Sequence, residues 1–118
     1  MDEQEPSGET VRSSKPPKLG KLNLQQAVDM GEYDPENLAN FSEWHTLSTY
    51  LQFQLVRKAL DIRYRQLMLQ YAELNNVLDL REKLQVQQAI KNVEKQLRLF
   101  EQDREDLFVY FTNKMSEE

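Results

Sequence analysis

The sequence predicts an all-α protein: a long, coiled-coil-like antiparallel helical hairpin, preceded by a short N-terminal helical segment and a disordered leader. Two observations predict the hairpin. The chain has no Gly or Pro after residue 40, and two long stretches carry large apolar residues at spacings of three and four. A length of 118 residues fits one domain. We therefore expect a single hairpin domain over residues 22–118.

Residues 1–21 are expected to form a disordered leader. They contain two of the three Gly, three of the four Pro and no aromatic residue. Such a segment lacks the apolar surface that offsets the entropy of ordering. Its acidic residues come first, and Arg12, Lys15, Lys18 and Lys21 follow around the sequence KPPK. The basic stretch indicates a solvated leader, with docking or nuclear import as alternatives.

Short helical turns are expected between residues 23 and 39. Asn23 is a suitable N-cap for the first turn, and Gly31 can adopt the left-handed conformation that ends it. Asp34 followed by Pro35 starts the next turn, because Pro at the first helical position sacrifices no hydrogen bond.

Two long helices are expected at about 41–75 and 80–114. Asn40 with Glu43 is a capping signal for the first helix, Asn75-Asn76 ends it, and Asp79 with Glu82 repeats the signal. Helices joined by so short a linker fold back antiparallel. Their apolar seams match when Tyr64 faces Val93, and this register places Arg104 opposite Phe53.

The first long helix carries a second apolar stripe opposite its hairpin seam. The stripe comprises Trp44, Leu47, Leu51, Leu55, Ala59 and Ile62 and continues to Leu69, with Arg57, Lys58, Arg63 and Arg65 at its rim. The second helix cannot cover both sides of the first, and an exposed stripe of this size would invite aggregation. Three candidates could cover the stripe: residues 22–39 of the same chain, a second copy in a homodimer, or another protein.

The sequence contains no recognisable catalytic or metal-binding motif. It has no Cys, a single His, and neither a Gly-rich phosphate loop nor a nucleophile elbow. We therefore expect no enzyme activity, no cofactor, no metal and no small-molecule substrate. No apolar run is long enough to cross a bilayer, and the lack of Cys fits a reducing compartment. The expected location is intracellular, nuclear or cytoplasmic, with the nucleus slightly favoured.

These features predict a non-catalytic interaction or scaffold subunit of a multi-protein assembly. The stripe and its rim are the expected binding residues, and the partner is a helix of another protein or a second copy. The alternatives are a self-contained three-helix homodimer and a nucleic-acid-associated module that uses the basic leader and the four rim cations. A net charge of -5 argues against nucleic-acid binding by this chain alone.

Overall fold

A computed structural model describes residues 22–76 and 84–118, which form an all-α fold. The elements are α1 (Leu24–Asp29), α2 (Pro35–Leu38), a 3₁₀ helix (Ser42–Thr46), α3 (Thr49–Asn75) and α4 (Leu84–Glu117). α3 and α4 pack against each other along the hairpin, which confirms the predicted fold class. The expected leader and the capping signal at residues 79–82 lie outside the described residues.

Both short helices have the caps that the sequence predicts. The Asn23 side chain accepts a hydrogen bond from the Gln26 backbone N–H (2.8 Å), and the Gln26 side chain accepts one from the Asn23 N–H (2.9 Å). Gly31 follows α1 with φ of 91°, a conformation that favours glycine. Asp34 caps α2 through the Glu36 N–H (3.0 Å), with Pro35 at the first helical position.

The first long helix begins at Thr49, so the predicted start near residue 41 is wrong. Leu47 and Ser48 have extended backbone, and the Ser48 hydroxyl accepts a hydrogen bond from the Leu51 N–H (3.2 Å). This break brings Trp44 back onto the hairpin, where the Gln52 side chain donates to the Trp44 carbonyl (2.9 Å). The chain therefore buries Trp44 and does not continue as one helix from residue 41.

The predicted register between the long helices is also wrong, by about one heptad. The Tyr64 ring lies 6.0 Å from Phe100, seven residues beyond the expected Val93. Phe53 stacks on Phe111 at 5.1 Å, where Arg104 was expected. At the ends, the Tyr71 hydroxyl donates to Glu94 (3.0 Å), and the Thr49 hydroxyl donates to Glu118.

A shift of seven residues keeps the same helix faces in contact, so spacing alone does not separate the two registers. The observed register brings aromatic rings together, with Phe53 also 5.4 Å from Phe108 in an edge-on arrangement. It also gives the C-terminal part of α4 a partner, because Phe111 is buried against the start of α3. The register therefore follows from the aromatic contacts near the open end of the hairpin.

Residues 22–48, called here the N-terminal segment, lie across one side of the hairpin. α1 packs on α3, and the Tyr33 hydroxyl reaches α4 by donating to Asp103 (2.7 Å). The segment supplies nearly half of one buried core cluster, whose members are Leu24, Ala27, Val28, Leu38, Trp44, Val56, Ala59, Leu60, Leu67, Phe100 and Phe111. Among the described residues, no helix combines the length and apolar character needed to span a bilayer.

Candidate functional site

The N-terminal segment covers the middle of the predicted apolar stripe. Trp44 is only 6% exposed and Ala59 is fully buried, and both belong to the core shared with α1 and α2. Leu47 and Leu55 are half-buried and pack against the same core. In this conformation Trp44 and Ala59 therefore contribute to the chain's own stability and present no surface to a partner.

The outer edge of the same stripe remains accessible. Leu51 is 48% exposed and Leu69 is 62% exposed, whereas Leu55 and Ile62 are half-buried between them. We call these four residues the α3 ridge. Leu55, Ile62 and Leu69 are separated by seven residues each, and Leu51 precedes Leu55 by four. This is the heptad spacing by which one helix meets another in a coiled coil.

The path of the N-terminal segment explains why the ridge stays open. The Asp29 carboxylate at the end of α1 pairs with Lys58 (3.1 Å), and the Gln66 side chain donates to the Met30 carbonyl (3.3 Å). Gly31 then turns the chain beside Gln66, and Tyr33 already contacts α4, where its ring meets Phe100 edge-on at 5.7 Å. The segment thus leaves α3 before it can cover Leu69.

The four predicted rim cations do not form one patch. Arg57 lies over the Phe53 ring (5.7 Å to the centroid), whereas Arg63 lines a cleft on the other side of α3 with Tyr33. Only Lys58 and Arg65 lie beside the ridge, as the helical spacing requires. The Lys58 ammonium beside Asp29 holds the pKa of that carboxyl below its ordinary value. A shared phosphate-binding surface for all four cations is therefore not assembled.

Exposed apolar residues near the open end of the hairpin were not predicted as a site. Phe108, Val109 and Tyr110 are each at least 41% exposed, and Tyr50 on α3 is 58% exposed. The sequence signal was present, because three consecutive large residues on a helix point in three directions and cannot all face one seam. These residues form exposed apolar surface that is separate from the ridge.

The single histidine makes a local contact. His45 Nε2 lies 2.7 Å from the Ala39 carbonyl oxygen, at an exposed position. Within residues 22–76 and 84–118, no group of three or more His, Asp or Glu side chains is arranged to hold a metal ion.

Comparisons of the chain with models of protein families, with curated proteins and with solved structures found no match. The interpretation of the α3 ridge therefore depends on its geometry and chemistry.

Proposed function

We propose that this chain is a non-catalytic interaction subunit that binds a helix of another protein along the α3 ridge. The observation that supports this proposal is the exposure of Leu51 and Leu69 at heptad-compatible positions on a long, well-packed helix. Singly exposed leucines are common on protein surfaces, but aligned ones at this spacing match what a partner helix requires.

The partner helix is expected to be acidic at its margins. Lys58 and Arg65 occupy the positions that alternate with Leu55, Ile62 and Leu69 along the ridge. Among the described residues, the salt bridges involve Lys58 but not Arg65. Parallel pairing of two copies of α3 would place Lys58 against Lys58 and Arg65 against Arg65, which is unfavourable. A different chain with Asp or Glu beside its apolar heptad fits better than a parallel second copy.

The ridge alone supports a modest affinity. Complete burial of a leucine or isoleucine side chain gives about 1.5–3 kcal/mol, and the ridge residues are already partly covered. About half of that value for each of four residues gives roughly 3–6 kcal/mol, which is comparable with the entropy that association loses. We therefore propose that the ridge anchors a larger interface.

Site-specific photocrosslinking tests this assignment. The full chain is expressed in its native cells with p-benzoylphenylalanine in place of Leu69, and a discrete crosslinked partner is expected. The matched control carries the same group in place of Leu84, which is 78% exposed but lies at the start of α4, away from the ridge. The control position is expected to give no discrete product. Equal crosslinking patterns at both positions would count against the ridge.

Charge substitution on the ridge supplies the complementary test. Leu51→Asp with Leu69→Asp is expected to abolish the crosslink from a third ridge position, Ile62, while circular dichroism shows unchanged helicity. Both leucines are exposed, so their replacement leaves the core intact. Leu84→Asp is the control and should preserve the crosslink. Loss of helicity in the double variant would show that the ridge belongs to the chain's own core.

Two further measurements separate the remaining alternatives. Light scattering distinguishes a monomer of 14.0 kDa from a dimer, and a dimer disrupted by the ridge substitutions would favour a second copy as the partner. Nucleic-acid binding weakens steeply with added salt, whereas an apolar helix contact responds little.

A nuclear location is part of this proposal, because the KPPK stretch is basic. Imaging the chain with Lys15→Ala and Lys18→Ala checks it.

A further inference from the structure

An open cleft of about 590 Å³ lies between the loop that follows α1 and the paired helices α3 and α4. Part of its lining is apolar. Leu67 and Phe100 are buried at its base, and Leu107 is half-buried. Leu99 is 57% exposed beside them. The cleft therefore offers apolar surface that no described residue covers.

The remaining lining of the cleft is mainly acidic. It includes the carboxylates of Glu32, Asp34, Asp103 and Asp106, and Arg63 is the cation among the lining residues. Asp103 accepts the hydrogen bond from Tyr33. The salt bridges between described residues join Lys58 to Asp29 and Arg104 to Glu101. None of the four cleft carboxylates thus forms a salt bridge within residues 22–76 and 84–118.

The N-terminal segment contributes to this acidic surface and does not neutralise it. Between residues 22 and 48 the chain has five acidic residues and no Lys or Arg. The complementary charge lies immediately before it, because residues 12–21 contain Arg12, Lys15, Lys18 and Lys21 and no acidic residue. The same stretch carries Pro16, Pro17 and Leu19, which can contact apolar surface.

The basic stretch is within reach of the cleft. The described chain begins at Leu22, and Gly31, after the short helix α1, lines the cleft. With 1.5 Å per residue inside α1 and up to about 3.3 Å per residue on either side of it, the chain path from Leu22 to Gly31 is at most about 21 Å. An extended chain covers about 3.3 Å per residue, so the seven residues from Lys15 to Lys21 span about 23 Å. Measured from Leu22, before the start of α1, Lys15 can therefore reach the cleft.

We infer that the basic end of the leader, residues 12–21, docks in this cleft of its own chain. Arg12 and Lys15 lie against Asp103, Asp106, Glu32 and Asp34, and the adjacent Pro16 and Pro17 lie against Leu99. A tether this short keeps the local concentration of the segment near the millimolar range, so weak individual contacts suffice. This inference is independent of the α3 ridge.

Paramagnetic relaxation tests the inference on the full chain. The chain has no Cys, so Ser14→Cys gives a single attachment point for a nitroxide label beside Lys15. Backbone amide signals of Leu99, Asp103 and Asp34 are expected to lose most of their intensity. Gln87 is the internal reference, because it lies about 24 Å along α4 from Asp103 and should keep its intensity.

Charge variants provide matched controls in the same measurement. Lys15→Glu with Lys18→Glu is expected to restore the cleft signals, and Asp106→Lys is expected to restore them in large part. Glu105→Lys makes the same charge change one residue away, at an exposed position outside the cleft lining, and should leave the broadening unchanged. Added salt should weaken the effect, since the contacts are exposed.

Three results would overturn the inference. One is cleft broadening no stronger than that at Gln87. Another is an equal loss of broadening in the Asp106→Lys and Glu105→Lys variants, which would indicate diffuse attraction to an acidic protein. The third is broadening in a mixture of isotope-labelled chains with spin-labelled unlabelled chains, which would assign the leader to a second copy.

Discussion

The Tyr33 side chain joins the N-terminal segment to α4. Its hydroxyl donates to the Asp103 carboxylate, and its ring packs edge-on against Phe100. Burial and the neighbouring Asp103 charge raise the pKa of the phenol above its ordinary value of 10.0, because both disfavour the phenolate. The folded state therefore binds this proton more tightly than the unfolded chain does.

Tyr33→Phe should weaken folding in a pH-dependent way. Near neutral pH, loss of the hydrogen bond is expected to lower the free energy of unfolding by about 1 kcal/mol, since the ring contact remains. The raised pKa means that this contribution is complete below about pH 10 and lost as pH rises further. Urea unfolding across this range should show a smaller alkaline decline in the variant.

Tyr71 provides the internal comparison for that measurement. Its hydroxyl donates to Glu94, and this contact also raises its pKa, so the Tyr33→Phe variant should keep part of the alkaline decline. An identical decline in the variant and the original chain would show that Tyr33 does not join the two elements in solution.

Local signals made the short elements predictable. Asn23, Gly31 and Asp34 act through hydrogen bonds and backbone angles within a few residues, so the sequence carries all the information that the turn needs. The Asn40 and Glu43 pair has the same local pattern, yet the helix begins at Thr49 because burial of Trp44 is worth more than helix continuity. The sequence alone does not show whether Trp44 burial or helix continuity contributes more to stability.

The hairpin was predictable as an element pair, but its register was not. Apolar spacing identifies which faces of α3 and α4 meet, and this part of the prediction is confirmed. A seven-residue slip preserves those faces. The choice between the two registers depends on which side chains meet, and Phe53 meets Phe111 instead of Arg104. The preference for contact between two aromatic rings becomes visible only in the three-dimensional structure.

Alanine substitutions at two phenylalanines of α4 test the observed register. Phe111→Ala should lower the free energy of unfolding by about 3–5 kcal/mol, because the side chain is buried and a cavity would remain. Phe108→Ala is the matched control: it removes the same group from a ring that is 41% exposed and should have a clearly smaller effect. Equal small losses in chemical denaturation would contradict the buried position of Phe111 in the structure.

At the scale of the whole molecule, the predicted apolar stripe is divided into a covered part and an accessible part. The sequence showed that α4 could not cover both sides of this helix, and it left open which cover was used. The N-terminal segment covers Ala59 and buries its own Trp44, while Leu51 and Leu69 remain accessible. Which residues of the stripe are covered depends on the path that the chain takes after it turns at Gly31. The spacing of apolar residues does not predict that path.

Val28→Asp should release the N-terminal segment from the hairpin. Val28 is fully buried in the core cluster, and an unpaired carboxylate there is strongly unfavourable. The expected result is retention of most helicity by circular dichroism, with increased self-association by light scattering as Leu55 and Ala59 become exposed. Leu60→Asp, at the buried seam of α3, should instead unfold the hairpin. Survival of a monomeric fold in both variants would contradict this arrangement.

The chain has one tryptophan, and it is buried where the N-terminal segment meets α3. Its intrinsic fluorescence therefore reports on that junction alone. Emission at short wavelength indicates the closed arrangement, and a red shift without loss of ellipticity indicates that the segment has lifted away. The protein thus contains its own optical probe for following, during titration with a binding partner, whether the covered half of the stripe is ever uncovered.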